Sequence, residues 1–501
     1  MMKYKINTSI VILIFSFIAL SCSNNPALRY RYQTEKKYYA CEKALKTAQS
    51  FHNPLTQKQI KELTPQYKEL LGYCYLALDS VDSNQNPVEY NELKYLTHQS
   101  ATRLSQMYYS NKQFGQCVNV LNQLLEKVNL SDMLLATTYI NLGQAIQSSG
   151  NWDSALTVYN YTLKKFYPPI NKSQQIIFTI FNLPIHIFHV DQVLGDSVAT
   201  RYAFTRAEKY YQKLIDEYPQ TKLSTASHSN LARLYDDTRQ WKKEIKELTT
   251  IADPTKPSYQ NIQIKIADIY GGHLKKFDTA LAIYQSNLDR TKPEDSLIKS
   301  GLMLKICLVK MKQKKYSAAR KLLNDIKKQS YNFFNSNPLL QYTLARSYEL
   351  DGKWNRAETE YNLLFEKYFG SDEAMMTYLY LVDKFHKAKR EKEFQKWFQE
   401  AEQYLDKVAS KNTGNPVEAK ALLYKAKLYK QVKQWQKAVD ILQAVYQKFP
   451  NVRSSRQGIV DAAYIYKIKL HNPAKSDSLL NMLRSSLSKI DTNNNKDLYE
   501  K

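Results

Sequence analysis

Hydrophobic and polar residues follow one recurring pattern along most of this chain. In Gly352–Tyr361 (GKWNRAETEY), an aromatic residue precedes a small residue by three positions, and a large residue follows four positions later. Just upstream, Leu344, Ala345 and Tyr348 repeat at the three- and four-residue spacing of one helical face. Polar residues separate the two apolar segments. The pattern therefore predicts two amphipathic helices joined by a short turn.

The small residue of the second predicted helix recurs throughout the chain. Most intervals between successive copies are 36 to 39 residues, and two are longer, at 44 and 52 residues. A nearly constant period predicts a stack of helix pairs over residues 89–488. A short side chain is needed at the point where two helices cross, because their axes approach to about 8–10 Å only if no large side chain stands between them. The clear copies are Cys117, Ala155, Ala207, Ala280, Ala319, Ala357 and Ala438, and the weaker ones are Glu244 and Ala401.

Several second helices end at an aromatic residue followed by proline, as at Tyr218-Pro219 and Phe449-Pro450, where proline stops the helix. Helix–turn–helix units with a small residue at the crossing and a terminal proline resemble the tetratricopeptide repeat. The resemblance implies an all-α fold, a right-handed superhelical solenoid whose concave groove binds protein partners. It does not identify the residues that bind them.

Tryptophans occupy one equivalent place in several repeats. A row of exposed indoles would suit stacking on sugars or bases, but Phe114, Phe277 and Tyr316 stand at the same place in other copies. Because these aromatic residues are interchangeable, we expect them to pack at the turn between the two helices of a pair. The tryptophans concerned are Trp152, Trp241, Trp354 and Trp435.

The N-terminus has the features of a bacterial lipoprotein signal. Lys3 and Lys5 precede an apolar run, Ile10–Leu20, that is too short for a typical membrane-spanning helix. The run ends in IALSC, which resembles a lipobox. The resemblance implies removal of residues 1–21 and acylation of Cys22. Because Ser23 is not the aspartate of inner-membrane retention, it also implies an outer-membrane anchor that faces the periplasm. A plain secretory signal with a chance cysteine is the alternative.

The segments outside the repeats have separate expected roles. Residues 22–36 are polar and are predicted to form a lipidated tether, and residues 37–88 an atypical pair of helices before the array. A capping helix is expected at the end of the array. Residues 489–501 are expected to fray because they hold few apolar residues.

The bulk composition favours a helical protein. Only 12 Gly and 15 Pro among 501 residues argue against a multi-stranded fold. The formal net charge of +25 favours anionic partners. These charges are spread over helical segments and form no compact basic block. Nucleic acid is not an expected partner, because the signal directs the chain out of the cytoplasm.

Cysteine and histidine offer few candidates for a chemical site. Cys41 and Cys74 are left open as a disulfide pair in an oxidising compartment. His186 and His189 lie in the apolar stretch Ile176–Val190 with no third ligand nearby. We therefore expect no metal site. The stretch itself is expected to be a core helix interrupted by a proline or, alternatively, an apolar docking patch.

The sequence contains no phosphate-binding glycine loop, zinc-protease motif or nucleophile elbow. We expect neither catalysis nor a cofactor. The resemblance, which extends to repeat lipoproteins of the outer-membrane barrel-assembly machine and of the type IX secretion system, implies a periplasmic scaffold. Its partners would be protein subunits of an envelope assembly or secretion complex. The alternatives are a substrate-binding lipoprotein of a glycan uptake system and a lipoprotein associated with peptidoglycan or another anionic polymer.

Overall fold

The computed structural model describes residues 25–49, 55–167, 174–450 and 452–492. All regular structure in these ranges is α-helical, and consecutive helices pack as pairs, so the predicted all-α repeat fold is confirmed. The signal sequence and Cys22 lie outside the described residues. Contacts divide the chain into two compact units between Asn230 and Leu231.

In its described residues, the first unit contains nine complete helices. They are α1 (Pro26–Ala48), α2 (Gln57–Asp79), α3 (Pro87–Ser110), α4 (Phe114–Lys127), α5 (Asp132–Ser148), α6 (Trp152–Phe166), α7 (Gln174–Ile180), α8 (Leu183–Leu194) and α9 (Ser197–Glu217).

The division between the units falls inside α10 (Lys222–Asp237). The second unit ends at Ile490 and contains the remaining helices, the last of which continues to Thr492. They are α11 (Trp241–Thr250), α12 (Tyr259–Gly272), α13 (Phe277–Arg290), α14 (Ser296–Lys312), α15 (Tyr316–Gln329), α16 (Tyr331–Ser336), α17 (Pro338–Leu350), α18 (Trp354–Lys367), α19 (Asp372–Lys387), α20 (Glu391–Lys411), α21 (Pro416–Gln431), α22 (Trp435–Lys448), α23 (Arg453–Ile468) and α24 (Pro473–Thr492).

The turn inside each pair has one recurring geometry. The residue five positions before the small residue adopts the left-handed conformation, with φ between 54° and 93°. In the repeat of Gly352, the next amide, Lys353 N–H, donates to the carbonyl of Tyr348 at 2.9 Å. This bond ends the first helix in a Schellman motif and turns the chain directly into the second. The seven left-handed residues are Lys112, Gly150, Arg239, Lys275, Lys314, Gly352 and Lys433.

Two second helices, α9 and α20, are 21 residues long, whereas α18 and α22 have 14. Ala207 and Ala401 lie ten residues before the ends of α9 and α20, as Ala357 does in α18. Their distance from the turn differs, however. The left-handed residue stands twelve positions before Ala207 and Ala401, whereas in the other repeats it stands five positions before the small residue. Seven residues make about two helical turns, so the insertion lengthens the helix by about 10 Å and preserves its buried face. This accounts for the interval of 44 residues.

The large residue four positions after the small one is often a tyrosine, and it links the two helices of a pair. The rings of Tyr159 and Tyr361 are fully buried. The Tyr159 hydroxyl donates to Gln147 Oε1 at 3.0 Å, and the Tyr361 hydroxyl donates to Glu349. Burial of the phenol is tolerated because each hydroxyl reaches an acceptor on the preceding helix.

The apolar stretch Ile176–Val190 forms two core helices, α7 and α8. The break lies at Phe181 and Asn182, and Pro184 stands in the first turn of α8. The free carbonyl of Phe181 accepts the hydroxyl of Tyr211 at 2.9 Å. The segment Gln174–Leu194 is long and apolar enough to cross a membrane, but 61% of its most apolar window is buried inside the protein. This burial favours the core interpretation.

The first helix corrects the predicted tether. It begins at Pro26, ten residues before the tether was expected to end, and it ends at Ala48. Asn25 Oδ1 accepts the Ala27 N–H at 2.9 Å, and proline at the first helical position needs no such acceptor. Ala27 and Thr34 are buried, so residues 26–36 belong to the folded body. The sequence did not indicate this, because only one side of α1 is covered and residues 26–36 are therefore mostly polar.

Candidate partner-binding groove

The groove between α21 and α23, the first helices of two successive pairs, is the strongest candidate for a binding surface. It encloses 610 Å³, within the range of ligand pockets. The second helix α22 forms its floor through Leu442. The groove is lined by Leu423, Ala426, Lys427, Lys430, Leu442, Val452, Ser454, Gln457, Gly458 and Asp461.

Gly458 determines how closely α23 approaches the floor of this α21–α23 groove. A Cβ at this position would lie 3.1 Å from Leu442 Cδ2 and 3.3 Å from Leu423 Cδ2. These distances are tighter than nearly all real Cβ contacts, so a side chain would push the two leucines aside. Glycine therefore keeps α23 close to α21 and α22 while the groove stays open above them.

An apolar stripe on α23 continues from the groove. It consists of Val460, Tyr464 and Ile468, which are 40%, 61% and 44% exposed. Residues four apart lie on one helical face, which Gln457 and Asp461 share. Exposed apolar side chains in a row beside a groove mark an interaction surface more specifically than scattered ones do.

The rim of the groove is basic. Lys430 Nζ lies 2.8 Å from Asp461 Oδ2 and pairs α21 with α23. Lys427, which lines the groove, and Lys467, which lies on α23 next to Ile468 of the stripe, are exposed and make no ion pair within the described residues. Lys427 Nζ lies 4.8 Å from the Tyr424 ring centroid. Burial and the nearby Asp372 carboxylate raise the pKa of Tyr424 to about 12, so its hydroxyl stays neutral at physiological pH. Two uncompensated ammonium groups favour an acidic partner.

The small residues that the sequence predicted at the helix crossings are buried. Ala155, Ala207, Ala280, Ala319, Ala357 and Ala438 are fully buried, and Cys117 nearly so. Trp152, Trp354 and Trp435 are each the first residue of a second helix and are half-buried.

Three of the four tryptophans, Trp241, Trp354 and Trp435, contact a residue of the following first helix or its end. Lys384 Nζ lies 4.3 Å from the Trp354 ring, and Lys469 Nζ lies 5.6 Å from the Trp435 ring. Trp241 stacks on His273, with ring centroids 3.8 Å apart. A cation or imidazole thus covers the indole face, which leaves little room for stacking on a ligand.

Among the described residues, the histidine candidates do not belong to a group of potential metal ligands, and the cysteine candidates do not form a disulfide. His186 Nε2 lies 2.8 Å from Gln147 Oε1, and His189 contacts the ring of Phe188. No group of three or more potential metal ligands occurs among the described residues. Cys41 and Cys74 are both free and buried rather than bonded to each other. Cys41 Sγ lies 3.8 Å from the Gln66 carbonyl, and Cys74 Sγ lies 3.7 Å from Ser100 Oγ.

The apolar stripe was not predicted from the sequence. Its four-residue spacing is visible in the sequence, but apolar residues occupy the other faces of α23 as well. Over Ile459–Ile468 apolar residues lie on most sides of the helix, so the local pattern does not indicate which of them are covered. The buried residues between the members of the stripe are Ile459, Ala462, Ala463, Ile465 and Tyr466.

The helix pairs define this chain as an all-α helical-repeat protein. Residues 420–451, which include most of α21 and all of α22, match the tetratricopeptide repeat family model. No curated protein matches the sequence.

Several solved structures align with parts of this chain at low sequence identity. A tetratricopeptide repeat protein from Parabacteroides merdae is 13% identical, with 58% of this chain and 98% of that one aligned and a TM-score of 0.30. PilW, described as a widely conserved type IV pilus biogenesis factor, is 13% identical over 48% of this chain and 98% of its own, with a TM-score of 0.32. The apo form of RapI is 12% identical over 75% and 98%, with a TM-score of 0.41.

Proposed function

We propose that this protein is a non-enzymatic scaffold, anchored by an acylated Cys22 to the outer membrane and facing the periplasm. In this role it would join protein subunits of an envelope assembly or secretion complex. The apolar stripe of Val460, Tyr464 and Ile468 beside the α21–α23 groove carries the proposal. A rigid stack of helix pairs that exposes such a stripe is suited to hold a partner helix or an extended peptide.

The basic rim indicates the charge that a partner segment would carry. A partner segment that places apolar side chains on the stripe and carboxylates near Lys427 and Lys467 would match both the shape and the charge of the groove. Charge complementarity of this sort mainly sets the association rate and specificity, while the apolar contacts set the affinity.

Crosslinking in intact cells followed by affinity purification tests the scaffold role. The wild-type chain is compared with the triple variant Val460→Ser, Tyr464→Ser and Ile468→Ser. We expect wild type to recover defined envelope subunits and the variant to lose them, with unchanged helical content and melting temperature. Replacement of Leu297, Ile298 and Tyr331 by serine is the matched control, because these apolar residues are similarly exposed elsewhere in the second unit.

Other results would redirect the proposal. Equal recovery by both triple variants would remove the groove from the binding surface. Recovery of cell wall alone, lost at moderate salt, would favour attachment to an anionic polymer. Recovery of a glycan transporter would favour the substrate-binding role.

The membrane anchor has an independent test. We expect a Cys22→Ser chain to lose radiolabelled palmitate and to leave the outer-membrane fraction. A Cys41→Ser chain is the control, since that thiol is buried in the folded body. Retention of label in the Cys22 variant would contradict acylation at this residue.

A further inference from the structure

A second cavity lies in the first unit, between α6, α8 and α9. It encloses 660 Å³ and combines aromatic and aliphatic walls with a cluster of charged and amide groups. Its aromatic, charged and amide lining includes Asn160, Tyr161, Lys164, Asp191, Tyr202 and Arg206.

Tyrosines form the sides of this cavity. Tyr161 and Tyr202 are 47% and 67% exposed, although both rings are large apolar surfaces. Tyr139 holds the Tyr161 ring in an edge-to-face contact with centroids 5.1 Å apart. Leu156 and Leu163 complete the apolar lining. A ring or a branched aliphatic group would fit between these walls and would remove them from water.

One end of the cavity has hydrogen-bond donors without acceptors. Arg206 Nη2 donates to Asn160 Oδ1 at 2.5 Å, which leaves the amide nitrogen of Asn160 as a donor. Arg206 Nε is buried and has no hydrogen-bond partner within the described residues. Lys164 is exposed and makes no ion pair there. An unsatisfied buried donor is costly, so an anionic acceptor at this end would be stabilising.

Asp191 provides an acceptor on the same cavity wall. Asp191 is only 5% exposed, and its carboxylate is affected by burial and by the charges of Arg206 and Asp196 but by no hydrogen bond within the described residues. Burial raises the pKa of Asp191, and the positive charge of Arg206 opposes that shift. Arg206 and Lys164 outnumber this one carboxylate, so the cavity still favours an anion while Asp191 remains ready to accept an N–H group.

We propose that this cavity binds an N-acylated apolar amino acid, the chemical group found at the C-terminus of a peptide chain. Arg206, Asn160 and Lys164 bind the carboxylate, and Asp191 accepts the amide N–H. The apolar side chain lies between Tyr161 and Tyr202. The proposal does not rest on the scaffold role, because the cavity and the α21–α23 groove belong to different units.

Isothermal titration of the full chain in detergent tests the site with N-acetyl-phenylalanine as the probe. We expect saturable binding, and binding at least tenfold weaker for N-acetyl-phenylalanine amide, which lacks the carboxylate. Arg206→Gln is expected to weaken binding of the acid at least tenfold. Arg201→Gln makes the same charge change on an exposed residue of α9 outside the cavity and is expected to have no effect.

Asp191→Asn separates the two polar contacts. Because it also removes a negative charge near the bound carboxylate, 3-phenylpropanoate, which has no N–H group, is expected to bind at least as tightly, whereas N-acetyl-phenylalanine is expected to bind severalfold more weakly relative to it. A general loss of fold would weaken both ligands equally and would also lower the melting temperature.

A decapeptide ending in phenylalanine distinguishes the two sources of this chemistry. Tighter binding than the acetylated amino acid assigns the site to a chain terminus, and equal binding assigns it to a small free acid. No binding of any probe at millimolar concentration would overturn the proposal. So would equal losses in the Arg206 and Arg201 variants, because binding would then follow only the net charge.

Discussion

The carboxylate of Glu244 lies 3.0 Å from the ammonium group of Lys265, at the helix crossing where most other repeats carry alanine. Glu244 is fully buried, while the Lys265 side chain is 43% exposed. Burial raises the pKa of Glu244, and Lys265 opposes this shift. One repeat thus has a buried charge where a methyl group suffices elsewhere.

We expect Glu244→Ala to raise the free energy of unfolding at pH 7 by about 1 kcal/mol, because replacing a buried charge with an apolar group removes its desolvation cost. Lys265 is not left stranded, since it is partly hydrated and lies 3.4 Å from Asp236. Urea denaturation measures the change. Lys265→Ala is the opposite control, which should destabilise the protein by leaving Glu244 alone.

The advantage of Glu244→Ala should depend on pH. Because the folded-state pKa is raised, the contribution of Glu244 to stability is fully present below its unfolded pKa and is lost as pH rises through the folded pKa. We therefore expect the stabilising effect to be largest at neutral pH and to vanish below about pH 4. A gain that is independent of pH would show that charge burial is not its cause.

Removal of one tyrosine hydroxyl should destabilise the second unit. Glu349 accepts hydrogen bonds from Tyr361, Tyr380 and Lys384, and it pairs with Arg346. Tyr361→Phe deletes a buried donor to this carboxylate, and we expect a loss of about 1–2 kcal/mol in the free energy of unfolding. Tyr464→Phe is the matched control, because that hydroxyl is on the exposed stripe. Equal effects of the two changes would contradict a role for the network.

The turns offer a paired test of backbone strain. Gly352 has φ of 73°, and no atom lies within 4 Å of a Cβ placed there. We expect Gly352→Ala to cost about 1 kcal/mol through the left-handed backbone alone. At the equivalent place, Lys314 has φ of 60°, so Lys314→Gly should be neutral or slightly stabilising. Chemical denaturation compares them, and losses of the same size in both would exclude backbone strain as the cause.

Thiol reactivity tests the separation of Cys41 from Cys74. Burial raises the pKa of Cys74 to about 11, so little thiolate is present at pH 8. In a Cys22→Ser chain we expect slow labelling by a maleimide in the native state. After denaturation without reductant, all four remaining cysteines should react. A requirement for reductant to release two of them would establish a disulfide instead.

The repeat register could be read from the sequence because it depends on local spacing. An aromatic residue, a small residue three places on and a second apolar face upstream specify two helices and the side on which they meet. The position of the two long helices could not be read in the same way. Seven added residues preserve the helical face, so Ala207 looks like an ordinary copy and Ala401 like a weak one until the turns at Gly195 and Lys389 are located.

The candidate sites could not be predicted from local spacing, because they depend on which helices pack against one another. Trp354 and Val460 are both large and apolar, yet Trp354 is covered by Lys384 while Val460 faces solvent. The difference depends on the neighbouring helix and on the angle at which it packs. Neither is encoded in the local sequence pattern. The cavity of Arg206 and Asp191 likewise brings together side chains from helices that are separated in the chain.

The sequence by itself therefore determined the all-α class, the helix pairs and the small residues at their crossings, because helical periodicity and close approach are properties of neighbouring residues. Only the tertiary structure decided which apolar faces stay uncovered and which polar groups remain without partners. Those outcomes depend on contacts between helices distant in the chain, and in this protein they define both proposed binding surfaces.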